Sequence, residues 1–207
     1  MTAAAILALG GLVLLVAGLV LYERTRGGAR ELGLVAVLAA AATAGRVAFA
    51  AIPGAQPVTA IAIVAGIALG PRAGAAVGAS AALLSNAFLG QGPWTPWQML
   101  LWGLAGASGG WCAPLLRRSR IALMAFGGLW GLAFGAGMDV WQLAAFGPAL
   151  TLPAFIAVHV RAVPFDAVHA LTNVILLGVA EQPLLALLDR SAQRIRGRWL
   201  ALDEDAA

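Results

Sequence analysis

The chain is a succession of apolar runs, each too long and too continuous for a half-buried strand, separated by short gaps that carry arginine. Seven runs can be traced: Ala3 to Tyr22, Leu34 to Ile52, Val58 to Leu69, Ala73 to Phe88, Pro96 to just before "RRSR", Ile121 to Phe146, and Phe165 to Leu188. Hydrophobic residues make up 61% of the 207, charged residues only 11%, and the mean hydropathy is +0.90. A soluble domain of this size has no interior large enough for so much apolar surface, so the class is a polytopic membrane protein. Lipid offers backbone polar groups no water, which leaves helices or a closed barrel. Barrel strands alternate apolar and polar residues, whereas these runs are unbroken stretches of Ala, Leu and Gly. The expected fold class is all-α, a transmembrane helix bundle.

Charge gives the orientation. The net charge is +4, and all 13 basic residues are arginines. Most of them fall in the gaps between runs, the pattern of a positive-inside membrane protein rather than a phosphate-binding stripe. No basic residue precedes the first run and "ERTRGGAR" follows it, the reverse of a secretory signal peptide. That run reads as a retained span with its N-terminus outside. Seven alternating spans then place segments 23–33, 70–72, 116–120 and the tail in the cytoplasm. They hold Arg24, Arg26, Arg30, Arg72, Arg117, Arg118, Arg120, Arg190, Arg194, Arg196 and Arg198, which is 11 of the 13 arginines. The uncharged segment "NAFLGQGPWTPWQML", Asn86 to Leu100, falls on the outer face.

The lone cysteine, Cys112, excludes an internal disulfide and a thiolate metal cluster. Two histidines are too few for a metal site without carboxylate help, and no metal or cofactor is expected. The stretch "GPALTLPAFIAVHVRAVP" reads as a mixed connection with a short interfacial helix, and "DRSAQRIRGRWLALDEDAA" as a charged, frayed tail.

Polar groups at membrane depth are costly and usually face a partner or a cavity. Arg46 sits near the outer end of its run, Asn86 ends another, Gln98 opens the next, and Asp139 and Gln142 lie in the outer part of the sixth. Asp166, His169 and Asn173 open the seventh; spacings of three and four put them on one helical face, and Gly135, Asp139 and Gln142 share another. Short Asp and Asn side chains snorkel poorly, so these groups are expected to line an outward-open pocket rather than reach the headgroups. No continuous polar path crosses to the other side, which argues against a channel. Gln91, Trp94, Thr95, Trp97 and Gln98 are the candidate substrate contacts from the outer segment. The tryptophans suit stacking on a planar ring or an interfacial aromatic belt. His169 suits ligand contact or a structural pairing with Asp166 or Asn173. Arg46 suits an anionic group of a ligand or neutralisation of Asp139.

Small residues recur at spacing four: Gly127, Gly131 and Gly135; Gly74 and Gly78; Gly106 and Gly110; Ala40, Ala44 and Ala48. Such stripes let helices approach closely, within one chain or against another membrane subunit.

The stretches "GRVAFAAIPGAQPVTAIAIVAG" and "GPRAGAAVGASAALLSNAFLGQGPWTPWQMLLWGLAG", with the AxxxA stripe before them, resemble the substrate-binding S component of energy-coupling factor (ECF) vitamin transporters. The second stretch is similar to bacterial S components associated with cobalamin. The resemblance spans a six-helix core, residues 33–190, preceded by an extra helix and linker (1–32) and followed by a cytoplasmic tail (191–207). It implies a vitamin or precursor bound near the outer face of a bacterial cell (inner) membrane. It also implies a transmembrane T component, docked on the face of Ala40, Ala44 and Ala48, and two cytoplasmic ABC-type ATPases whose ATP hydrolysis topples the S component. The chain has no GxxxxGK[ST] loop of its own.

Two other readings compete. "GASGG" at Gly106 to Gly110 resembles the GxSG of rhomboid intramembrane proteases, with Ser108 and His169 as a dyad. Counted at 1.5 Å per residue, Ser108 lies ~15 Å and His169 ~6 Å from the outer ends of their helices, a mismatch of roughly 9 Å. That is too far for a hydrogen bond. The third reading is a membrane scaffold without transport or enzymatic activity.

Overall fold

The computed structural model describes residues 13, 28–147 and 150–204. The expected first span, 3–22, lies outside the described residues apart from Val13. Seven helices follow: α1 (Ala29–Ala48), α2 (Pro57–Leu69), α3 (Pro71–Leu89), α4 (Thr95–Trp111), α5 (Ala113–Leu116), α6 (Arg120–Phe146) and α7 (Leu152–Glu204). There is no strand among the described residues. Three helical segments, Ala29–Ala48, Arg120–Phe146 and Leu152–Val179, are long and apolar enough to cross a membrane. Large apolar side chains cover their outsides, among them Val37, Leu129, Leu171, Ile175 and Val179, all more than half exposed. A surface of that kind is at home against lipid rather than water.

Local chemistry explains the breaks. Gly70 has φ +98°, a conformation open to glycine; it ends α2 and leads into Pro71, whose missing N–H costs nothing in a first helical turn. The same proline start opens α2 at Pro57. Ser119 caps α6 by accepting the Ala122 N–H at 3.2 Å. At the far end of α2, Arg117 donates to the Ile67 carbonyl at 3.0 Å and pairs with both oxygens of Asp189 on α7 at 2.8 Å. One guanidinium thus satisfies a helix C-terminus and ties it to the last helix.

Helix α2 is the centre of the bundle. Its residues from Pro57 to Ala68 are buried, Ile61 excepted, and it packs on α1, α3, α4 and α7. The closest packing lies between α3 and α4 and between α6 and α7, and glycines make it possible. A Cβ on Gly74 would strike the backbone of Gly106, and one on Gly66 would strike the Gly106 carbonyl. On α6, Gly127, Gly131 and Gly135 face Leu177, Ala170 and Asp166 of α7. These glycine stripes are therefore seams inside the chain. The alanine stripe differs: Ala40, Ala44 and Ala48 are exposed, while Ala39, Ala42, Thr43 and Arg46 turn inward.

The largest departure from the sequence reading is α7. The stretch expected as a mixed connection, with a new helix opening at Phe165, is continuous helix from Leu152 onward, through Pro164 and Pro183. It also runs to Glu204, across residues expected as a frayed tail. Pro164 lacks the N–H that would bond the Val160 carbonyl, which ordinarily breaks a helix. Side-chain contacts offset that loss here. Phe155 stacks on His159, with ring centroids 5.5 Å apart and planes 9° apart, and His159 reaches Asp139 on α6. The turn before the proline is held in line by its neighbour.

Candidate functional site

The segment from Asn86 to Leu100 folds back on itself through its own polar groups. Gly90, with φ +112°, terminates α3. Gln91 donates to the Leu83 carbonyl at 2.8 Å and accepts from the Thr95 hydroxyl at 2.8 Å. Thr95 in turn accepts from the Gly92 N–H and from the Asn86 amide, at 3.4 and 2.9 Å. Asn86 also donates to Gln98 at 2.8 Å. The Trp94 ring lies over Gly92, where a Cβ would collide with it, and meets Trp141 edge-on at 6.1 Å. Trp97 donates its indole N–H to the Gly137 carbonyl of α6 at 2.7 Å. The loop is thus stitched to α3, α4 and α6 by named bonds.

Beneath it lies Arg46, only 8% exposed. Its Nε donates to Gln56 at 3.0 Å, and its Nη1 donates to Ser85 and Asn86, both at 2.6 Å. The guanidinium sits 4.8 Å above the Trp102 ring. Every acceptor is neutral, and Nη2 has no hydrogen bond to a described residue. The expectation that Arg46 neutralises Asp139 is not met: Asp139 bonds His159 instead. A buried cation without a counter-ion among the described residues is expensive, although neutral acceptors and a ring face offset part of the cost.

A second cluster lies between α2, α4, α6 and α7. Trp102 donates to the Thr59 hydroxyl at 2.9 Å, and that hydroxyl lies 2.8 Å from His169 Nε2. Phe134 stacks on Trp102 at 4.4 Å and meets His169 edge-on at 5.2 Å. His169 and Asn173 are fully buried, and Asn173 donates to the Gly127 carbonyl at 3.0 Å. His169 Nδ1 and Asn173 Oδ1, one helical turn apart, have no hydrogen-bond partner among the described residues. The expected structural pairing of His169 with Asp166 or Asn173 is therefore replaced by one with Thr59. Ser108 donates to the Ala105 carbonyl at 3.0 Å and shares no hydrogen bond with His169, so the two do not form a dyad in this structure.

The third cluster is Asp139, His159 and Asp166. His159 Nδ1 lies 2.7 Å from Asp139 Oδ2 and 3.7 Å from Asp166 Oδ2. Both carboxylates are buried, and Asp166 Oδ2 has no hydrogen-bond partner among the described residues.

The structure thus draws Arg46, Asn86, Gln91, Thr95 and Gln98 into one network, and places Trp94 and Trp97 against α6 residues. Asp139 and Asp166 meet in another cluster, and His169 and Asn173 sit deeper. Gln142 is exposed and joins none of them. Sequence reasoning missed Gln56, Thr59, Ser85, Trp102 and His159. His159 had a readable signal: it precedes Asp166 by seven residues, so a helix drawn through Pro164 would have put His159, Asp166, His169 and Asn173 on one face. No protein-family profile, curated protein or solved structure matches the chain.

Proposed function

We propose that this chain is the membrane-embedded, substrate-binding S component of an ECF-type vitamin transporter. The observation that carries the reading is the bonding of the Asn86–Leu100 segment onto a buried, uncountered Arg46. A preorganised loop lies over a cationic group that still has an N–H to offer. Such an arrangement suits a ligand with an acidic group and a flat ring, held by Arg46 and by Trp94 or Trp97. Cobalamin or a related precursor is the first candidate, on the sequence resemblance described above. In this reading the loop faces outward, the arginine-rich gaps face the cytoplasm, and the N-terminus lies outside a bacterial inner membrane.

The chain carries no ATPase motif, so movement of substrate depends on a T component and two ATPases. The exposed stripe of Ala40, Ala44 and Ala48 is the face offered to the T component, since small side chains let another helix approach closely. Co-expression with T and ATPase subunits tests this. The chain should co-purify with them, and Ala44→Trp should abolish the complex while leaving the isolated chain folded. Failure of the wild-type chain to associate with any such module would count against the reading.

A further inference from the structure

Two carboxylates and one imidazole are gathered between α6 and the first half of α7, and the vitamin-binding reading gives them no joint task. Asp139 and Asp166 are 5% and 2% exposed. Asp139 has its hydrogen bond from His159, but Asp166 Oδ2 is buried without one. Leaving a carboxylate oxygen without a hydrogen bond costs the desolvation of an acceptor with no bond in return. The cationic partner nearest to Asp166 Oδ2 is the His159 ring, whose Nδ1 lies 3.7 Å away, beyond hydrogen-bond distance.

The placement is built into the fold. A Cβ at position 135 would occupy the space of the Asp166 carboxylate, so the glycine stripe of α6 makes room for it. One ligand atom from each of Asp139, His159 and Asp166 lies within 4.8 Å of the other two. An ion bound tetrahedrally at ~2.1 Å holds its ligand atoms ~3.4 Å apart. The separations from His159 Nδ1, 2.7 Å to Asp139 and 3.7 Å to Asp166, straddle that value. Closing on an ion therefore needs the His159–Asp139 pair to open by about 0.7 Å and the His159–Asp166 pair to close by about 0.3 Å. The His159 side chain is 34% exposed, which gives an ion a way in.

We propose that Asp139, His159 and Asp166 form a binding site for a divalent transition-metal ion such as Zn2+. The imidazole nitrogen selects against Mg2+ and Ca2+, which prefer all-oxygen shells. On binding, the His159 ring is neutral with its one proton on Nε2, any second proton going to solvent, and the Nδ1 lone pair joins one oxygen from each carboxylate on the metal. Three protein ligands leave a coordination position for water or for a donor atom of a bound molecule. This site is independent of vitamin binding and stands or falls separately.

The test uses untagged full-length chain in detergent, stripped with a chelator and titrated with Zn2+ by calorimetry. Elemental analysis after gel filtration gives the stoichiometry. One ion per chain is expected, with Asp166→Asn and His159→Gln each weakening affinity roughly tenfold or more. Absence of saturable binding, or wild-type affinity in either variant, overturns the proposal. A second readout avoids the variants. The chain has two histidines, and His169 is fully buried, so diethylpyrocarbonate reports on His159. Zn2+ should protect it from modification in the wild-type chain, and equal modification with and without Zn2+ would overturn the assignment.

Discussion

Arg46 on α1 donates from Nη1 to Asn86 Oδ1 at the end of α3, at 2.6 Å. Asn86 passes the connection on, its amide donating to Thr95 and Gln98 of α4. One asparagine therefore joins three helices and the loop between two of them. Replacing it removes an acceptor from a buried cation and a donor from the buried Thr95 hydroxyl and the half-buried Gln98 at once.

Asn86→Leu should therefore destabilise the chain by about 2–3 kcal/mol, since bonds to a charged group are worth the most and orphaned partners stay buried. Thermal unfolding in detergent checks this. An unchanged midpoint would mean that the network contributes nothing to holding α1, α3 and α4 together.

The seam between α6 and α7 is rigid where backbone meets backbone. A Cβ on Gly131 would lie 2.6 Å from both Cα and N of Ala170, so Gly131→Ala must push the helices apart, at a cost of about 1–3 kcal/mol. Gly33, with nothing within 4 Å, is the control. Gly33→Ala should be neutral or stabilising by up to ~1 kcal/mol, because alanine is the better helix former. Equal effects of the two substitutions on the unfolding midpoint would contradict the seam.

Trp97 combines a structural bond with a proposed ligand contact. Trp97→Phe keeps a ring and loses the indole bond to Gly137, and should lower stability by about 1 kcal/mol. Trp97→Ala should in addition weaken vitamin binding while the chain still inserts into the membrane. Affinity unchanged in Trp97→Ala would return this tryptophan to the interfacial belt.

Ser108 should be chemically silent. Its hydroxyl bonds the Ala105 carbonyl, and His169 bonds Thr59. A serine-reactive fluorophosphonate should label the wild-type chain no more than Ser108→Ala. Labelling lost on that substitution would restore the protease reading.

Periodicity and end signals made much of the helical framework legible. The boundaries of α2 and α3 lie where proline and glycine fall in the sequence, because those residues act through the local backbone. The course of α7 was not legible, because Pro164 is a local signal for a break, while the contact that ties the preceding turn to α6, His159 with Asp139, is tertiary. Arg46 and Asn86 were readable as expensive polar groups at membrane depth. Their mutual bond was not, since pairing across 40 positions depends on how α1 and α3 cross. The partners that went unnoticed, Thr59, Ser85 and Gln56, are small or neutral residues that carry no signal until a charged or aromatic neighbour is placed beside them.

The central claim is that the loop and Arg46 hold a vitamin. The most direct measurement is equilibrium binding of a vitamin panel, cobalamin first, to the purified, folded chain. The account predicts saturable binding of one class of vitamin or precursor, weakened in Arg46→Gln and in Trp97→Ala. A folded chain that binds no member of the panel, or binds one equally well in both variants, would contradict it.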